Sequence, residues 1–252
     1  IARKRLLKVQ VGSCFFMAEE FKILSFSHAL IVALCVFLII YIPQIFVGAK
    51  KETLLKVKFM MVALIFTFQA FELYKTLILF NEPWQNALPI HMCDFSAFAL
   101  VVYMLTGKKI FFNFAYFWGI AGAGMALITP DVLYGLPSVG YLANQYGHTI
   151  IILGVSFGLT VFGDRPYIKD IFIIFGWTLL MLIPIYLINY ILYPLGNYWY
   201  TFEKPIGNNI IVLFLPDAPY HMIPLIPVAF AFMLLVYSCL LYTSPSPRDT
   251  RE

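Results

Sequence analysis

The sequence predicts an all-α protein: a polytopic transmembrane helical bundle of about seven spans, with its N-terminus outside and its C-terminus inside. Three observations lead there. Of 252 residues, 62% are hydrophobic and only 12% charged, with a mean hydropathy of +0.85, whereas an ordinary soluble domain carries about 25% charged residues. The apolar residues gather in stretches of about 20, enough for a helix to cross a hydrocarbon core about 30 Å thick. These stretches lack the period-two alternation of a membrane β-barrel.

Taken in chain order, residues 1–16 carry Arg3, Lys4, Arg5 and Lys8 and read as a non-native or disordered leader before Met17. Residues 17–242 form a single transmembrane domain. Span one, 26–47, opens with His28, which reads as interfacial, and holds Cys35 as a small hydrophobe. Span two, 55–80, sets Gln69, Glu72 and Lys75 on one face at three-residue steps. Span three, 87–106, begins with "LPIHMCD", and Pro89 suits its first turn. Span four, 110–129, contains "WGIAGAGMAL", whose glycines predict close helix contact, and stops at Thr129-Pro130-Asp131. Spans five (144–163), six (170–193) and seven (220–241) bring His148, a stripe of Tyr186, Asn189, Tyr190 and Tyr193, and His221. The last ten residues, "TSPSPRDTRE", read as a non-native tail.

Charge gives the orientation and excludes one class of partner. Lys50, Lys51, Lys108, Lys109, Arg165 and Lys169 follow spans one, three and five, whereas only Lys204 follows the even spans; lysine and arginine mark the cytoplasmic side. Without the two ends, eleven basic residues face eleven acidic ones. A neutral body of this kind is not a nucleic-acid binder. The location predicted is the cell membrane, with lipids as both environment and substrate.

The polar residues collect at the opposite, non-cytoplasmic level. His91, Cys93 and Asp94 open span three, and an up-and-down path brings His148 to the same height. On a helix, His91 and Asp94 share a face while Cys93 points away from His91, so the partner expected for Cys93 is His148. With the helix starting near Pro89, Cys93 falls in the second turn, where the helix dipole has faded and a histidine must supply most of the activation. The chemistry expected is acyl transfer on phospholipids or lysophospholipids. Cys93 carries the acyl group, His148 acts as base and then acid, and His91 and Asp94 orient the site or hold the oxyanion. Asn189, Asn197, Lys204, Asp131 and Tyr186 are the expected head-group ligands, since amide donors and a cation suit an anionic group. No cofactor and no metal are called for. The competing readings are hydrolysis of a fatty ester at the same pair, a zinc site using His91, Cys93 and His148 with Asp94 or Asp131, and a transporter whose pathway includes Glu72, Lys75 and the outer polar cluster.

Six stretches carry a family resemblance: "LPIHMCDFSA", "AYFWGIAGAGMALITPD", "GHTIIIL", "GDRPY", "LINYILYPLGNYWYTFEKP" and "APYHMIP". In this order they resemble the YwaF-like family of bacterial integral membrane proteins. That family looks related to a eukaryotic transmembrane ether-phospholipid acyltransferase, and more distantly to the androgen-induced transmembrane hydrolases. The resemblance implies a cysteine in an H-x-C-D-like motif paired with a histidine two spans later, which Cys93 and His148 match. Because the hydrolases use a threonine nucleophile, it also favours transfer over hydrolysis.

Overall fold

A computed structural model describes residues 19–23, 25–204 and 214–242. The expected leader and tail, with Met17 and Cys14, lie outside the described residues. Among the described residues seven long helices follow one another: α1 (Phe26–Ile45), α2 (Lys51–Tyr74), α3 (Met92–Thr106), α4 (Lys109–Ile128), α5 (Val139–Thr160), α6 (Ile168–Leu192) and α7 (Met222–Tyr242). The protein is an all-helical membrane bundle. Five of the helices, α1, α2 with its extension to Leu79, α4, α6 and α7, are long and apolar enough to cross a bilayer. α3 is apolar but only 15 residues long. α5 spans 22 residues but carries Asn144, Gln145, His148 and Thr149 along its length, which dilute its apolar character.

Local chemistry sets the helix ends. The Ser25 and Ser138 hydroxyls accept from the amides of His28 and Tyr141, so each serine caps its helix start. α3 and α6 are capped from inside. Asp94 accepts from the amide of His91 at 2.9 Å, and Asp170 from that of Tyr167 at 2.7 Å. Gly107, at φ +68°, closes α3 in the left-handed conformation that only glycine adopts without strain. Two helices carry a wide π-turn, Lys75–Leu79 at the end of α2 and Gly119–Ala123 within α4.

Side-chain bonds show the up-and-down course. At one end, His28 at the start of α1 meets Ile128 at the end of α4 and Tyr141 at the start of α5. Gln69, late in α2, meets Asp94 at the start of α3. At the other end, the Lys109 ammonium lies 3.9 Å from the centre of the Tyr167 ring, tying the α3–α4 link to the start of α6. All six odd-link cations expected on the cytoplasmic side follow helices that run toward that end. The buried core runs through α3, α4 and α5, with Leu100, Phe112, Phe117 and Phe157 sealed from solvent. α1 and α6 turn broad apolar faces outward, including Phe37, Ile40, Phe172 and Ile183, as lipid contact requires.

Two expectations are corrected here. His28 is not an unpartnered interfacial residue but is buried. Its Nε2–H donates to the Ile128 carbonyl at 2.9 Å, and Nδ1 accepts from the Tyr141 hydroxyl at 2.8 Å. Of the glycines in "WGIAGAG", only Gly119 makes a close approach, with Ser96 and Ile151 against it, whereas Gly122 and Gly124 face open space.

Candidate functional site

A cavity of about 150 Å³ opens at the end of the bundle where α2 finishes and α3 begins. Its wall includes Gln69, Glu72 and Lys75 from α2 and its π-turn, His91, Cys93 and Asp94 from the start of α3, and Asn144 and His148 from α5. All four residues expected to do chemistry therefore meet in one place. Glu72 and Lys75, placed on one face of span two by their spacing, share it.

The position of Cys93 differs from the sequence expectation, and the cause is Asp94. Because the Asp94 carboxylate binds the His91 amide, α3 starts at Met92 with His91 as its cap, in extended conformation. Cys93 is then the second helical residue, in the first turn, where the dipole is strongest. The main-chain amides of Cys93 and Asp94 lie against its sulfur. His91, lying outside the helix, escapes the helical phase that was expected to separate it from Cys93, and both residues line the cavity. Asp94 itself is fully engaged. Its second oxygen accepts from Gln69 at 3.0 Å, so it positions the start of α3 against α2.

His148 lies about two and a half turns inside α5, because that helix begins at Val139. Its Nδ1 sits 2.7 Å from the main-chain oxygen of Asn144. A carbonyl only accepts, so Nδ1 carries the proton, and Nε2, which has no hydrogen bond among the described residues, keeps its lone pair. That is the tautomer a general base requires. Among the described residues no hydrogen bond joins His148 to Cys93; such bonds commonly form only once substrate is present. Gly147 explains how α5 comes so close to α2: a Cβ there would run into the Phe68 ring.

The expected head-group ligands lie elsewhere. Asn189 is completely buried; its amide donates to the Tyr198 carbonyl and the Thr201 hydroxyl, each at 2.7 Å, and accepts from the Tyr198 amide at 2.8 Å. Asn197 folds the same turn, accepting from the amides of Phe202 and Glu203. Lys204 pairs with Asp217 at 2.9 Å and holds that carboxyl below its ordinary range. Tyr186 stacks on Phe202 at 4.9 Å. None of these four lines the cavity. Their work is to shape a turn whose aromatic residues reach back to it. The Trp199 indole donates to the Ile90 carbonyl, the Tyr198 ring packs 4.8 Å from His91, and the Tyr200 hydroxyl donates to Asp131 at 2.9 Å. Burial and the Asp131 carboxylate push the Tyr200 hydroxyl well above its ordinary range, so it remains a donor. His221 is sealed beneath this turn, 2.6 Å from the Tyr200 carbonyl. Sequence reasoning missed the aromatic triplet Tyr198, Trp199 and Tyr200, whose only signal is its place in "GNYWYTFEK".

No group of three or more histidine, cysteine or acidic residues among the described residues is arranged to hold a metal ion.

A family model described as the TMEM164 family matches residues 19–237, which takes in the whole cavity wall and all but the last turn of α7. The chain belongs to the TMEM164 family. This corrects the expected assignment to a YwaF-like family: the motifs that suggested it are short and mostly apolar, aromatic or glycine, residue types that many polytopic families share. Its apolar helices make this TMEM164-family chain a multi-pass membrane protein. An uncharacterized protein of Treponema pallidum (strain Nichols) is 36% identical over 55 residues, 22% of this chain and 23% of that protein. The match thus spans about a quarter of the relative's length. No solved structure matches the chain.

Proposed function

We propose that this protein is a lipid-modifying enzyme of the cell membrane that moves an acyl group between phospholipids and lysophospholipids through a thioester on Cys93. The observation that carries the reading is one cavity lined both by a first-turn cysteine and by a histidine whose protonation is fixed by Asn144, with Nε2 free. In the first half-reaction His148 Nε2 takes the thiol proton as the sulfur attacks the ester carbonyl of the donor lipid. The C–O bond breaks, the leaving alcohol takes the proton back, and the acyl group stays on sulfur. In the second, His148 deprotonates the acceptor hydroxyl, which attacks the thioester, and the proton returns to the cysteine. The Cys93 amide, at the start of α3 and against the sulfur, is the natural donor for the oxyanion. Water as acceptor would make the same pair a hydrolase.

Size supports a lipid that enters sideways. The cavity of about 150 Å³ is smaller than the ~300 Å³ of a typical small-molecule pocket, so it takes the polar end of a lipid and leaves the acyl chains outside. The chains would lie along the apolar outer faces of the helices. With the basic links inside, the cavity opens toward the non-cytoplasmic side.

The test is intact mass spectrometry of the purified chain after incubation with mixed phospholipids and lysophospholipids. Wild type should gain an acyl mass that hydroxylamine removes, Cys93→Ala should gain none, and His148→Ala should gain it at least about a hundredfold more slowly. A folded wild-type protein that forms no adduct and turns over no lipid would refute the proposal.

A further inference from the structure

With Lys204 held by Asp217 outside the cavity, the acyl-transfer site lacks the cation that the sequence assigned to it. The cavity wall supplies another. Lys75 sits in the π-turn, where its ammonium is 2.6 Å from Glu72 Oε2, and its side chain is 12% exposed against 29% for Glu72. π-turns inside helices recur at functional positions, because the extra residue redirects side chains that an α-helix would place elsewhere.

The pair is incomplete as a structural bridge. Among the described residues, Glu72 Oε1 is buried without a hydrogen-bond partner, and the Lys75 ammonium donates one hydrogen bond of a capacity of three. A buried ion pair offsets its desolvation only when its remaining lone pairs and protons are also satisfied. Here both shortfalls fall on residues of the same wall that carries Cys93 and His148.

We infer that Lys75 and Glu72 form the head-group subsite of this cavity: Lys75 takes the phosphate of a lysophospholipid, and Glu72 accepts from a hydroxyl or ammonium on the same head group. The inference rests on the acyl-transfer reading for its choice of ligand, but it concerns binding and can be tested without turnover. Phosphate replaces a carboxylate oxygen as a partner of the ammonium, and the donor fills the empty Oε1. Selection against lipids that lack phosphate follows, because they would leave a buried cation without an added partner.

The test uses native mass spectrometry of the full chain in detergent, with a lysophospholipid, the monoacylglycerol of the same acyl chain, and glycerol phosphate as probes. Wild type and Cys93→Ala should both hold the lysophospholipid at least about tenfold more tightly than the monoacylglycerol, which corresponds to one charge-assisted hydrogen bond. Lys75→Met should abolish that preference and Lys75→Arg should keep it. The double variant Glu72→Gln with Lys75→Gln retains a hydrogen-bonding pair of similar size and covers the event that Lys75→Met fails to fold; it too should lose the preference. Equal binding of the two lipids by wild type, or a preference that survives in the double variant, would overturn the inference. Glycerol phosphate binding as tightly as the lysophospholipid would overturn it as well, by marking a site for soluble anions. Preference without a Cys93 adduct would reject the acyl chemistry and leave the subsite standing.

Discussion

Replacing Asn189 by leucine separates a structural role from a ligand-binding one. The side chains are similar in size, and Asn189 is completely buried, so the change removes three hydrogen bonds without opening a cavity. Each bond contributes about 1 kcal/mol net in water-soluble proteins, and about 0.6 kcal/mol in the membrane proteins where pairs have been measured. Leaving the Tyr198 amide and the Thr201 hydroxyl unpaired adds to the loss, while the Tyr198 carbonyl keeps the Thr201 amide. The expected destabilisation is about 2–4 kcal/mol, a fall of roughly 5–15 °C in the thermal midpoint for a chain of this size. The assay is thermal unfolding in detergent, followed by tryptophan fluorescence, because Trp199 lies in the turn that Asn189 holds. An unchanged midpoint in Asn189→Leu, together with weakened lipid binding, would refute the structural reading and restore Asn189 as a head-group ligand.

Two other outcomes follow from geometry already described. Gly147→Ala should lower stability by about 1–3 kcal/mol, the usual cost of overpacking, and Phe68→Leu in the same chain should recover most of it; a neutral Gly147→Ala in thermal unfolding would show that α5 and α2 do not pack there. Tyr200 is held above the ordinary tyrosine range of about 10, so the stability it contributes is complete below that pH and is lost as pH rises through its folded value. Tyr200→Phe should therefore flatten the alkaline arm of a stability–pH curve; an identical arm in the variant would contradict the link to Asp131.

The parts of this molecule legible in the sequence are those written in composition and period. Apolar stretches of bilayer length marked the helices, and the gathering of His91, Cys93, Asp94 and His148 at one level followed from an alternating path. What the sequence hid were bonds between distant or unlike positions. The start of α3 was read from Pro89, whereas the Asp94 carboxylate caps the chain at His91 and moves Cys93 into the first turn. His28 found its partners a hundred residues away or more. Asn189, Asn197 and Lys204 were assigned to a ligand by chemical type, and the structure uses them on neighbouring main chain and on Asp217. The π-turn that carries Lys75 has no sequence signature at all.

In hydrolytic triads the group that orients the histidine is an encoded side chain, and replacing it reveals it. His148 is held instead by the Asn144 carbonyl, an atom every residue possesses. The Asn144 side chain is occupied separately, donating to the Ala126 carbonyl at 2.9 Å, so Asn144→Ala would loosen α5 from α4 yet leave the imidazole's orienting oxygen in place. Under the proposed chemistry, a mutational scan for the group that orients His148 would come back empty, because that group is specified by the helix and not by any codon.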